Sequence, residues 1–184
     1  MKRSVILLLL TAIVFSACSR NDTLSVGETT NITNDTSSTS SSFEVGQSMS
    51  EINEKYSSVF SFNTLSVYKV NENYCVVIED GHTVQKFVEF SDSRSCLNKQ
   101  GLELICDYDV NQFLNNDFNK LTMEIGQPHV DIGSGFFIPS YVTEEAKLIS
   151  LYIEDDLVVE VIKYDLFSGE IIARQSVDDS VIDQ

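Results

Sequence analysis

Residues 65–90 read LSVYKVNENYCVVIEDGHTVQKFVEF, three apolar runs at 65–70, 74–78 and 84–90 cut by Asn71-Glu72-Asn73 and Asp80-Gly81. β-Branched and aromatic side chains crowd these runs, and Gly81 tolerates the positive φ of a tight turn. The stretch is therefore expected to form three antiparallel strands joined by hairpins. Just upstream, Val45, Met49, Ile52 and Tyr56 recur at spacings of three and four, which is one face of a short helix through Tyr56. Ser48 followed by Glu51 fits a capping box opening that helix.

Moving the frame by 69 residues brings the pattern back. Leu114, Phe118, Leu121 and Ile125 fall where Val45, Met49, Ile52 and Tyr56 stood, Asp117 takes the capping position, and Gly126-Gln127-Pro128 closes the helix with a Gly and then a Pro. Three more strand candidates follow at 136–142, 147–153 and 157–164, with Glu154-Asp155-Asp156 as a turn. The expected fold class is α+β: two tandem repeats, 43–111 and 112–184, each of short helices followed by an antiparallel three- to four-stranded meander. The second repeat ends in an acidic tail containing Asp178-Asp179.

Toward the amino terminus the chain changes character. Lys2 and Arg3 precede an apolar stretch over 5–14, and Ser16 and Ala17 stand before Cys18, the three regions of a secretory signal in order. A permanent membrane span needs roughly 20 apolar residues, so the segment 1–17 is expected to be a removable signal peptide. Phe15-Ser16-Ala17-Cys18 resembles a bacterial lipobox, with Phe15 where that motif prefers Leu. The resemblance implies that Cys18 is acylated, and at about 0.8 kcal/mol per buried methylene two or three chains give durable anchoring in the lipid bilayer. The following segment, to residue 42, is dominated by Ser, Thr, Asn and Asp and has too little apolar surface to offset the entropy of ordering. It is expected to be a tether with a root-mean-square reach of roughly 25 to 30 Å. The expected location is the cell membrane, lipid-anchored, on its extracytoplasmic face.

Twelve Lys and Arg against 28 Asp and Glu give the 184 residues a formal charge of −16, which argues against nucleic-acid partners. With two His, no Cys-x-x-Cys pair and no calcium-loop pattern, no metal or cofactor is expected. Asp131-Ile132-Gly133-Ser134-Gly135 comes nearest to a phosphate-cradling loop but lacks the Gly-Lys-Ser/Thr ending, so it reads as a bent connection. His129 near Asp131 has the spacing of an oriented base, yet nothing in the sequence supplies a nucleophile. His82 beside Gly81 reads as an exposed turn residue. Glu144-Glu145, Asp155-Asp156 and Asp178-Asp179 read as solvated turns, because adjacent carboxylates point to different sides. Cys96 and Cys106 flank Lys99-Gln100-Gly101 and could face each other across a hairpin as a disulfide, with three separate thiols as the competing arrangement. Cys75, alternating with Val77, reads as a core thiol. Among the seven Tyr, Tyr68, Tyr74, Tyr141 and Tyr152 are candidate partner-binding anchors, since Tyr offers large contact area at low entropic cost.

An apolar-x-x-Gly-x-Ser/Thr helix opening, a Gly-x-Pro closure and three strands resemble the SmpA/OmlA (BamE-like) lipoprotein domain, and the doubled arrangement is similar to the β-lactamase inhibitory protein fold. Gly126-Gln127-Pro128-His129 with Gly133-Ser134-Gly135 resembles the second repeat of small secreted lipoproteins of Gram-positive bacteria. The resemblance covers 43–90 and 112–167; Ser57 stands where Gly126 does in the second copy, with no Pro after it. It implies helices laid on one face of each sheet, the other face free for a partner, and binding instead of chemistry. The expected function is a non-enzymatic protein-binding or scaffold module, with inhibition of a secreted or cell-wall enzyme as the alternative and a dispersed catalytic site around His129 as the third.

Overall fold

A computed structural model describes residues 43–177. The signal segment 1–17, Cys18, the 18–42 tether and Asp178-Asp179 lie outside them. The described part carries helix α1 (Met49–Lys55) and strands β1 (Ser58–Phe62), β2 (Leu65–Val70), β3 (Asn73–Asp80), β4 (Thr83–Ser91) and β5 (Cys96–Gln100). After a crossing segment with a short 3-10 turn at Val110–Gln112 come helix α2 (Phe118–Ile125) and strands β6 (Val130–Asp131), β7 (Pro139–Val142), β8 (Lys147–Glu154), β9 (Leu157–Asp165) and β10 (Ile171–Ser176). Both sheets are antiparallel and five-stranded, in the orders β1-β2-β3-β4-β5 and β10-β9-β8-β7-β6.

This architecture corrects the α+β reading. The described residues are mostly β, and the two α-helices among them have only seven and eight residues. Helices this short cover part of one face of each sheet, so the remaining apolar faces need another cover. They find it in each other. Leu65, Val67, Val76, Ile78, Val88 and Phe90 of the first sheet share the largest core cluster with Val142, Leu148, Ile162 and Tyr164 of the second. The sheet face expected to be free for a partner is the middle of the molecule.

The outer faces hold smaller cores. Met49 and Ile52 of α1 pack with Phe43 on Tyr68, Cys75, Val77 and Phe87, while Leu121 of α2 packs with Tyr141, Ile149, Leu151 and Val161. Because both faces of the central strands are covered, Leu65 to Tyr68 and Cys75 to Ile78 are buried without interruption, as in strands lying between two layers. Ser140 and Ser150 are wholly buried in the second sheet and satisfy each other at 2.9 Å.

Local chemistry sets the helix ends differently. Asp117 caps α2 by accepting from the Lys120 amide at 2.9 Å, and the helix closes at Gly126, φ +95°. Ser48 stands at the start of α1 but makes no side-chain capping bond, so the expected capping box is absent there. Leu114 precedes the helix rather than joining it.

The segment 101–117 leaves the first sheet and crosses to the second. Leu102 enters the inter-sheet core, and Ile105 forms a parallel bridge with Thr143. Lys147 Nζ lies 2.5 Å from Asp107 Oδ2, while Lys163 Nζ lies 2.8 Å from Oδ1, an ionic contact off the line of a hydrogen bond. Lys163 also donates to the Tyr108 carbonyl at 2.6 Å. Burial pushes the Asp107 carboxyl up, but the two ammonium groups outweigh it and hold it below the usual carboxylate range.

This crossing removes the geometric basis of the expected Cys96–Cys106 disulfide. No hairpin turns back at Gly101; Cys96 is exposed on β5 opposite Phe90, Cys106 is half-buried beside Ile105, and no disulfide joins them. Cys75 is 1% exposed under α1, where burial pushes its thiol well up.

Candidate binding surface

Of the four tyrosines expected to anchor a partner, none stands out from the surface. Tyr68 is 1% exposed under α1, its hydroxyl donating to Asn53 Oδ1 at 2.8 Å. Tyr141 is wholly buried and donates to the Gly126 carbonyl at 3.1 Å, its hydroxyl pKa pushed up to about 12 by burial. Both point into the outer cores because strand alternation turns them toward the helices. Tyr74 and Tyr152 are half-buried against the inter-sheet core, Tyr74 stacked on Phe167 with ring centroids 3.8 Å apart.

His129 is consumed by the fold as well. The Val142 amide donates to its Nδ1 at 2.8 Å, so the ring proton is on Nε2, which donates to the Glu103 carbonyl at 2.7 Å. The imidazole thus laces the chain just before β6 to β7 on one side and to the crossing segment on the other. Burial lowers its pKa, and the bond to Glu103 only partly opposes that. With one nitrogen accepting and the other donating, the side chain has no site left for a substrate proton. Asp131 makes no hydrogen bond to it; the carboxylate serves the loop that follows. His82 is exposed in the β3–β4 turn, and Asp155-Asp156 form the exposed β8–β9 turn with both residues at positive φ.

The loop between β6 and β7 is where side chains are displayed instead of used. Asp131 Oδ1 accepts from the Gly133 amide and from the Ile138 amide, each at 2.9 Å, and the Ile132 amide donates to the Ile138 carbonyl at 3.1 Å. One carboxylate therefore fastens both ends of residues 131–138 and occupies the Gly133 and Ile138 amides. From the first sheet, Asn63 Nδ2 donates to the Gly133 carbonyl at 3.1 Å and Thr64 Oγ1 to the Asp131 carbonyl at 3.4 Å. The interior is too tight for a side chain at residue 133, where a Cβ would lie 1.6 Å from the Phe136 carbonyl oxygen.

This closed loop holds Phe136 82% exposed and Phe137 57% exposed. Phe137 meets Phe118 of α2 edge-on at 5.9 Å, and Met123 of the same helix is 86% exposed. Residues 132–138, Ile-Gly-Ser-Gly-Phe-Phe-Ile, carry no charge in a chain that is 22% charged. A loop pinned at both ends that leaves two aromatic rings in water is a feature that folding alone does not require.

The reading of 136–142 as one strand hid these residues. The strand begins at Pro139, so Phe136 and Phe137 belong to the turn. The available signal was the pair of glycines ahead of two adjacent aromatics and a Pro, which breaks period-two alternation. Among the described residues no group of His, Cys, Asp and Glu is arranged to hold a metal ion, and no helix is long and apolar enough to cross a membrane. Compared with known proteins, the chain matches no protein-family model, no curated protein and no solved structure.

Proposed function

We propose that this protein is a lipid-anchored domain on the extracytoplasmic face of a membrane, working by contact with another protein and not by catalysis. The observation that carries the reading is that the side chains best placed for chemistry in the sequence, His129 and Asp131, and the charged cluster at the crossing are employed inside the fold. His129 spends both nitrogens on backbone groups, Asp131 closes its own loop, and Asp107, Lys147 and Lys163 bind the crossing segment. The ionisable groups left to the solvent are mostly carboxylates, and a net charge of −16 favours a partner with a basic patch. The membrane address is supported by Phe15-Ser16-Ala17-Cys18 and the polar stretch after it.

Mass spectrometry of the mature amino terminus tests the anchor: a diacylglyceryl-modified Cys18 is expected, and an unmodified thiol or cleavage elsewhere overturns it. Cross-linking the full-length protein in its own envelope tests the contact, with one basic protein expected and its retention weakening as salt is raised. A hydrolytic or transfer activity abolished by His129→Gln in a folded protein would replace binding by catalysis.

A further inference from the structure

We infer that the 131–138 loop is a membrane-contacting finger whose Phe136 and Phe137 rings enter the bilayer to which Cys18 tethers the domain. The inference rests on the anchoring part of the proposed function and adds a second point of attachment. Three observations favour a bilayer over other occupants.

The loop is built and not frayed. Asp131 ties its two ends, Gly133 admits the Phe136 carbonyl where any side chain would collide, and Asn63 and Thr64 brace it from the other sheet. The loop backbone therefore needs little further ordering on contact, and only the two ring torsions remain to be fixed. Next, its exposed tip, Ser134 to Phe137, is uncharged, the composition an interface tolerates, in a protein whose surface is otherwise acidic. Last, Phe43 is 25 residues on from the candidate acyl group at Cys18, so even fully extended the chain holds an anchored domain within about 85 Å of the lipid, at high effective concentration. Weak insertion by two rings then suffices. The net negative charge opposes approach to anionic lipid, but beyond about 8 Å that repulsion is screened at physiological salt, and the tip itself contributes none of it.

The chain has no Trp, so one introduced indole reports one place. Phe136→Trp in the full-length acylated protein, reconstituted in phosphatidylcholine vesicles and in vesicles of equal parts phosphatidylcholine and phosphatidylglycerol, is the measurement. The expected result is a blue-shifted emission, protection from aqueous iodide, and about a twofold loss of emission when the acyl chains carry bromine, because aromatic rings settle at the headgroup boundary. Leu97→Trp, at a β5 position that is 53% exposed, is expected to change in none of these respects. Emission at position 136 that ignores brominated lipid and stays open to iodide overturns the inference. So does shielding that appears only with a protein partner, or with rising protein concentration in the absence of lipid, which would assign the loop to that partner or to a second copy. The amino-terminal mass separates the two readings: acylated Cys18 with a wet indole removes the finger and keeps the anchor. If Cys18 is unmodified the anchor reading fails, and the finger is then judged by the same quenching with vesicles added in excess.

Discussion

Two loops of the second sheet use one device to opposite ends. In the β9–β10 turn, Asp165 Oδ1 accepts from the amides of Phe167 and Ser168 at 2.9 and 3.0 Å; in the β6–β7 loop, Asp131 Oδ1 accepts from Gly133 and Ile138. Each turn carries phenylalanine, and each has a glycine where a neighbour comes too close for a side chain. The neighbours differ. Gly169 faces the ring of Phe60 on the opposite sheet, 2.2 Å from where its Cβ would be, whereas Gly133 faces the carbonyl of its own loop. Phe167 accordingly lies against Tyr74 with the Arg94 guanidinium 4.7 Å over its other side, and Arg94 is paired with Asp165. Phe136 has no such cover. The contrast teaches that an Asp-fastened turn fixes where a ring is held, while the facing layer decides whether the ring seals a core or meets the outside.

The widest separation is expected from truncating the two rings. Phe167→Ala is expected to cost about 3 kcal/mol, for lost burial, stacking and the cation above it, while Phe136→Ala changes stability by no more than about 0.5 kcal/mol. Urea unfolding of the two variants reads the difference, and equal losses would break the comparison. Removing the carboxylates comes next. Asp165→Ala is expected to cost about 2 kcal/mol, since it strands two amides in a half-buried site beside Arg94, and the exposed Asp131→Ala about 1 kcal/mol. A larger loss at Asp131 would mean that the displayed loop supports the core.

The smallest effect is a difference in pH response. The folded pKa of His129 is lowered, so the unfolded chain binds the proton more readily and stability is lost as pH falls below the ordinary value of about 6.5. Protonation of Nδ1 also breaks the bond from the Val142 amide, worth about 1 kcal/mol. Burial pushes the Asp165 carboxyl up, but the Phe167 and Ser168 amides and Arg94 hold it below the usual range. Its contribution is present above about pH 3.9 and lost below it. The stem of the display loop should therefore loosen first on acidification. Hydrogen exchange at Val142 and Phe167 as a function of pH measures the order, and His129→Gln should abolish the earlier step.

The central strands were legible in the sequence and the edges were not. Residues 65–70 and 84–90 announce themselves by dense apolar and β-branched side chains because both their faces are covered. β5, Cys-Leu-Asn-Lys-Gln, is exposed along most of its length, and only the backbone of β4 makes it a strand. The same holds for β10, paired on one side to β9. The α+β expectation failed because apolar periodicity reports that a face is buried without reporting what buries it. Tyr68 and Tyr141 turn inward for the same reason, being large side chains on faces that the helices close. Of the candidate surface, the glycine-flanked aromatic pair was visible; its exposure was not, since that depends on Pro139 starting the strand late.

By itself the sequence determined the acidic balance, the positions of the central strands and tight turns, and the caps at Asp117 and Gly126, all of which depend on residues close along the chain. The tertiary structure alone decided that the two sheets bury each other, that Cys96 and Cys106 part company at the crossing, that His129 is a brace, and that Phe136 and Phe137 face outward. Each of these depends on what another layer brings within a few ångströms, and spacing along a chain holds no record of that distance.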